Sequence, residues 1–203
     1  MSWIQRIWRK CWSFDMRRKD REMNTEFAKQ VIDRSRYGVL SIIETGSGTP
    51  YSIPLSIVRD DEFLYFHSAR EGTKVDLFSG NNQVKIVFVG EVHVPNLFTT
   101  SQLDEMTKNE EKTVQLISSV FTTEFESAIV DGKIQEVLDT DEKIHALKLI
   151  CRKYTPDKMA YFQHAINSGE NYTRVYRITM DVLKAKRKKY DSEGNEMKWG
   201  RLE

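Results

Sequence analysis

The chain has 203 residues, 39% apolar and 30% charged, which suits one folded domain with a sizeable core and excludes an intrinsically disordered chain. A net charge of +1 gives no broad electrostatic reason to expect nucleic acid as a partner. Cys11 and Cys151 cannot make a disulfide framework and show no metal-ligand spacing, and no apolar run approaches the ~20 residues that span a bilayer, so a cytoplasmic setting is the default.

Residues 1–15 (MSWIQRIWRKCWSFD) form an aromatic, basic extension. Read as a helix, Trp3, Ile4, Ile7, Trp8 and Trp12 share an apolar side and Arg6, Arg9 and Lys10 lie elsewhere. Packing on the domain or on a partner chain is the simpler account of that pattern, and an interfacial membrane helix the second. Asn24 or Thr25 caps a helix whose apolar side holds Phe27, Val31 and Ile32 and which ends near Ser35. YGVLSIIE reads as a β-branched strand closed by TGSGTP, and YSIPLSIVRD as a second strand in which Pro54 marks an edge, a bulge or a ligand-facing gap. A third strand covers Phe63 to Ser68, and a short helix begins near Lys74 and ends at Gly80-Asn81.

QVKIVFVGEVHV is a long fourth strand, and a polar insertion at 95–115 follows, helical or loose. The β pattern resumes through ISSVFTTEFESAIVDGKIQEVLD, with Asp131-Gly132 as a turn or bulge signal. A helix capped by Asp139 or Thr140 runs to Pro156 and buries Ile144, Leu147, Leu149, Ile150 and Tyr154. TRVYRITMDVLKAKR is a last strand, its basic run from Lys184 to Lys189 a solvated end. Short turns between strands favour antiparallel pairing, and closure into a barrel removes exposed edges.

The segment that could carry chemistry is YSIPLSIVRDDEFLYFHSAREGTK. Its two strands lead into a turn with Ser68, Gly72, Thr73 and Lys74 and then a helix. Amides at a helix start, a hydroxyl and a lysine suit a phosphate, and a sheet edge near Pro54 could pair with a flat ring carrying donors and acceptors. The plainer alternative, a strand, a polar turn and a capped helix, is favoured on physical grounds alone. His93, His145 and His164 lack metal-ligand spacing, and Cys151 reads as a buried helix residue with nothing near it in sequence to activate it.

MRRKDREM, YGVLSI, PYSIPLSIV, YFHSAREGTK and FTTEFESAIVDGKI resemble, in order and spacing, the flavin-binding split-barrel family related to pyridoxamine 5′-phosphate oxidase, and most of all its nitroimidazole-resistance (Nim-type) branch. The resemblance covers roughly Met16 to Lys186. It implies a mainly β fold with flanking helices, a six-stranded antiparallel split β-barrel, acting as a homodimer with FMN at the subunit interface. It implies an FMN-binding domain at 16–186; outside it lie the extension at 1–15 and a tail at 187–203 that is expected to be poorly ordered unless it docks.

Carried onto this chain, the ring-contacting strand falls on Ser52, Ile53, Pro54, Leu55 and Ser56. The strand end and phosphate loop fall on His67, Ser68, Ala69, Gly72, Thr73 and Lys74. Phe125 and Ser127 would approach the flavin of the other protomer, while Glu126 stands where many relatives carry a basic residue. The arginine-rich pair and C-terminal substrate motif of the vitamin B6 oxidases are missing, which argues against that substrate. For His67 two roles stand open: proton transfer or anion holding beside the flavin, or hydrogen bonding only. The resemblance implies NAD(P)H-dependent reduction of a small acceptor such as a nitroaromatic or quinone, with the donor bound transiently. A flavin sensor, store or interaction module is the alternative, and a barrel that has exchanged flavin for haem a third.

Overall fold

The structure, a computed structural model, describes residues 16–80, 82–108, 110–169 and 172–202. The aromatic extension at 1–15 and the helix stop at Asn81 lie outside the described residues. The strands are β1 (Glu22–Met23), β2 (Gly38–Ile43), β3 (Pro50–Leu55), β4 (Val58–Asp60), β5 (Phe63–Ala69), β6 (Gln83–His93), β7 (Glu124–Glu136), β8 (Thr173–Thr179) and β9 (Val182–Lys188). The α-helices are α1 (Thr25–Arg34), α2 (Thr73–Gly80), α3 (Thr100–Thr107), α4 (Glu110–Gln115), α5 (Thr140–Tyr154) and α6 (Phe162–Gly169).

Every strand pairing is antiparallel. The hydrogen-bonded path runs β3-β2-β6-β7-β8-β5-β4, and its two end strands are consecutive in the chain, separated only by Ser56 and Ile57. The path therefore returns on itself through a covalent link. With β3 and β4 counted as one interrupted strand, the circuit holds six strands: β3/β4, β2, β6, β7, β8 and β5. YSIPLSIVRD is thus two strands rather than one. The link is held firmly, since the Lys153 ammonium and the Tyr154 hydroxyl both donate to the Ile57 carbonyl, at 3.0 and 2.7 Å.

The long strand β7 splits the barrel. Residues 125–131 pair with β9, and residues 134–136 pair with β8. Asp131-Gly132 is not a turn: the strand passes straight through it while changing partners. Gly132 is required there because a Cβ would stand 1.8 Å from the Thr179 carbonyl oxygen. The last expected strand is likewise two, β8 and β9, divided at Met180-Asp181.

Alternation along the strands places Leu40, Ile42, Leu64, Phe66, Ile86 and Phe88 inside, against Val31 and Ile32 of α1. Val31 and Ile32 are completely buried, and each such side chain stabilises the fold by about 1.5–3 kcal/mol. Asn24 caps α1, its side chain accepting from the Phe27 amide at 2.9 Å. A second, smaller core lies outside the barrel, where Ala146, Leu147 and Ile150 of α5 cover Val58, Tyr65 and Val175. Ile144, Leu149 and Tyr154 are only partly buried, and Cys151 is half-buried.

The basic run at the end of β9 is not a solvated strand end throughout. Arg187 and Lys188 are buried, because the tail folds back over them. The Trp199 amide donates to the Asp20 carbonyl at 2.7 Å, the Met197 amide to the Lys189 carbonyl at 2.8 Å, and Met197 and Tyr190 are buried. Among the described residues no helix is long and apolar enough to cross a membrane.

Candidate functional site

The site begins on β3. Among the described residues this strand pairs only with β2, so its other edge leaves backbone N–H and C=O groups open. Pro54 is therefore tolerated for the ordinary reason, an edge position. Ser52 and Pro54 face outward and are exposed, Ile53 and Ser56 are half-buried, and Leu55 belongs to the core. Across the ladder the Ser41 and Ser52 hydroxyls lie 2.8 Å apart.

The second part is the end of β5 and the start of α2. On β5, Leu64 and Phe66 point into the barrel, and His67 and Ala69 are exposed. Gly72 has φ +120°, a left-handed conformation that side chains rarely adopt, and an added Cβ would meet nothing within 4 Å. The turn is thus open on the side a ligand would approach. The Val75 amide turns back to the Gly72 carbonyl at 2.8 Å and the Asp76 amide to the same oxygen at 3.4 Å. The first amides of a helix have no acceptor within it and face the positive end of its dipole. Thr73 is exposed here and Lys74 half-buried.

One group in this region has no internal explanation. Ser68 is 3% exposed, and its Oγ has no hydrogen-bond partner. A buried hydroxyl left without a partner costs about 1–3 kcal/mol. His67, its neighbour, keeps an exposed face, but the protein around its ring partly desolvates it, and this, followed by the positive charge of Lys74, pushes its pKa below the ordinary 6.5. The imidazole is therefore neutral at pH 7, able to donate from one nitrogen and accept at the other.

Phe125 and Ser127 lie on the outward face of β7, half-buried, while Glu124, Glu126 and Ala128 point inward. Glu126 is 7% exposed and forms an ion pair with Arg34 at 2.8 Å. The acid at that position is thus a core-side partner of α1 and does not face the outer surface. Within one protomer β7 is separated from β3 by β6 and β2, three inter-strand spacings or roughly 14 Å. The structure brings His67 and Lys74 into electrostatic contact but does not bring Phe125 and Ser127 to β3 of the same chain.

Residues 25–96 match a family model described as pyridoxamine 5′-phosphate oxidase, a segment that holds α1, β2 to β6 and the whole of the 52–74 site. Over that segment, and in its fold, the chain is pyridoxamine 5′-phosphate oxidase-like. No curated protein sequence matches it. Among solved structures, the chain is similar to a candidate 5-nitroimidazole antibiotic resistance protein from Bacteroides thetaiotaomicron, at 24% identity and TM-score 0.60, covering 81% of this chain and 84% of that one. A FAD and haem binding protein from Mycobacterium smegmatis aligns with TM-score 0.64 at 12% identity, over 83% and 73% of the two chains. A conserved hypothetical protein from Mycobacterium tuberculosis aligns with TM-score 0.63 at 12% identity, over 85% and 90%. At these identities the likeness is one of fold.

Sequence reasoning missed the orphaned Ser68 hydroxyl as a distinct signal, because partner accounting needs coordinates. It also missed the contact between His93 and the buried Glu124, 2.5 Å between Nε2 and Oε2. Among the described residues no group of three His, Cys, Asp or Glu could hold a metal ion.

Proposed function

We propose that the protein binds FMN on the 52–56 and 67–74 segments and works as a homodimeric, NAD(P)H-dependent oxidoreductase on a small acceptor such as a nitroaromatic or quinone. The observation that carries the reading is the buried, partnerless Ser68 hydroxyl beside an open, glycine-bent helix start that ends in Thr73 and Lys74. The donor set suits a phosphate dianion: a hydroxyl, free helix-start amides and an ammonium. The flavin would supply hydride and electron transfer between the nicotinamide and the acceptor. The chain's own part is to bind and orient. The free edge of β3 presents backbone donors and acceptors of Ser52 to Ser56 to a ring edge. Neutral His67 holds or passes a proton at an imidazole nitrogen.

The outer sheet face supports the dimer reading. Val39 of β2 stands opposite Val87 of β6, which stands opposite Ile129 of β7. Val39, Val89 and Ile129 are 39%, 52% and 36% exposed. This apolar row suits a second copy, whose Phe125 and Ser127 would complete the site that one chain leaves half built.

The test is anaerobic mixing of the flavin-loaded protein with NADH or NADPH. Rapid bleaching of the flavin absorbance is expected. No bleaching with either donor would overturn the oxidoreductase assignment and leave a flavin-binding module.

A further inference from the structure

Ser68 has a cation for a neighbour. It stands directly opposite Arg174 in the ladder of β5 with β8, and directly opposed Cβ atoms lie about 4.5–5.5 Å apart. Alternation puts both on the inward face. Leu64, Phe66 and Ser68 share it on β5, and Arg174, Tyr176 and Ile178 share it on β8. Phe66 lies opposite Tyr176, and Tyr176 lies opposite Glu136 of β7. Phe78 of α2 packs edge-on against Phe66 and Tyr176, with ring centroids 5.9 and 5.0 Å away. α2 is thereby seated over this end of the barrel, and only the turn 70–72 separates the end of β5 from its first residue, Thr73. Ser68, Arg174 and Glu136 therefore gather beside the helix start, on the face opposite the one offered to a second copy.

Arg174 has a partner in the chain. Its Nη1 donates to Glu136 Oε2 at 2.9 Å, and its guanidinium is also within hydrogen-bonding reach of the Tyr176 hydroxyl. Both charged side chains of the pair are 34% exposed, so water reaches them, whereas the neighbouring Ser68 hydroxyl is closed to solvent and has no partner. An ion pair that water reaches contributes little to stability. A guanidinium holding a phosphate through parallel hydrogen bonds is one of the stronger polar contacts available to a protein. With five N–H donors in a fixed fork, Arg174 can turn to a second anion without changing its charge.

We propose that Arg174 is a phosphate-binding residue of the flavin site: the phosphate draws its guanidinium away from Glu136 and supplies the acceptor that the Ser68 hydroxyl lacks. The assignment rests on the flavin reading above. It adds a residue that selects the phosphorylated flavin over the bare one, and it makes Glu136 the internal counter-ion that holds Arg174 until the phosphate arrives.

The experiment titrates the flavin-stripped full chain with FMN and, separately, with riboflavin, which has the same ring and no phosphate, following flavin fluorescence. Arg174→Gln, Arg174→Lys, Glu136→Gln and Lys74→Ala are titrated in parallel. Arg174→Gln should weaken FMN binding by about tenfold or more and leave riboflavin binding unchanged. Arg174→Lys keeps the charge without the fork and should weaken FMN binding less. Glu136→Gln removes the competing carboxylate and should tighten FMN binding by about twofold or more. Unchanged FMN affinity in Arg174→Gln, beside a loss in Lys74→Ala, would overturn the assignment and leave the flavin reading intact. Equal weakening of FMN and riboflavin in Arg174→Gln would also overturn it, since the arginine would then serve the fold and not the phosphate. If circular dichroism shows Arg174→Gln unfolded, Glu136→Gln decides: FMN bound no more tightly than by the natural chain overturns the exchange. A natural chain that binds no FMN overturns both readings.

Discussion

Ser68→Ala should change sign with the ligand. In the flavin-free protein the Ser68 Oγ is buried and partnerless, and leaving it so costs about 1–3 kcal/mol. Alanine removes that cost and forfeits a few heavy-atom contacts of about 0.1–0.2 kcal/mol each. The variant should therefore be more stable by about 1 kcal/mol. At a urea slope of roughly 2 kcal/mol per molar, its unfolding midpoint should rise by about 0.5 M. With FMN present the order reverses. A hydrogen bond to a charged phosphate contributes about 1.5–3 kcal/mol, so the variant should bind FMN roughly 10- to 150-fold more weakly. Urea unfolding followed by fluorescence, with and without FMN, reads both effects. A variant that is less stable without FMN, or that binds FMN as tightly as the natural chain, would refute the assignment of this hydroxyl.

Gly132→Ala drives a Cβ to 1.8 Å from the Thr179 carbonyl, and two strands must separate to admit it. A loss of about 3 kcal/mol is expected, read as a fall in Tm of roughly 6–12 °C; an unchanged Tm would contradict the account of the partner switch in β7. His67 has a lowered pKa in the fold, so the unfolded chain binds the proton first. Its contribution to stability is present above the ordinary 6.5 and is lost as pH falls from there through the lowered value. His67→Asn should flatten the Tm-against-pH curve in that window, and an identical curve would count against it. Val89→Glu places a charge in the exposed apolar row and should convert the proposed dimer to monomer in light scattering after gel filtration; a dimer mass at the same concentration would place the interface elsewhere.

Much of the fold was legible because alternation along the strands is a strong signal. Leu40, Ile42, Leu64, Phe66, Ile86 and Phe88 all point inward as period two requires. The misses have one cause in common, which is that partner choice is not a local property. Asp131-Gly132 carries a turn signature, yet the glycine is there because Thr179 of another strand passes close by. Ser56-Ile57 and Met180-Asp181 look like continuous strand, yet each is a point where the chain leaves one ladder for another. Arg187 and Lys188 look solvated until the tail carrying Met197 is seen to cover them. At the site, the glycine bend and the lysine were readable. The orphaned Ser68 hydroxyl and the inward turn of Glu126 toward Arg34 needed three-dimensional neighbours.

The most direct test is titration of the purified, flavin-stripped chain with FMN, following quenching of flavin fluorescence. Saturable binding at one FMN per protomer, weakened by Lys74→Ala by about 1–3 kcal/mol, is the expected result. A folded chain that carries no flavin and binds none on titration would contradict the central claim.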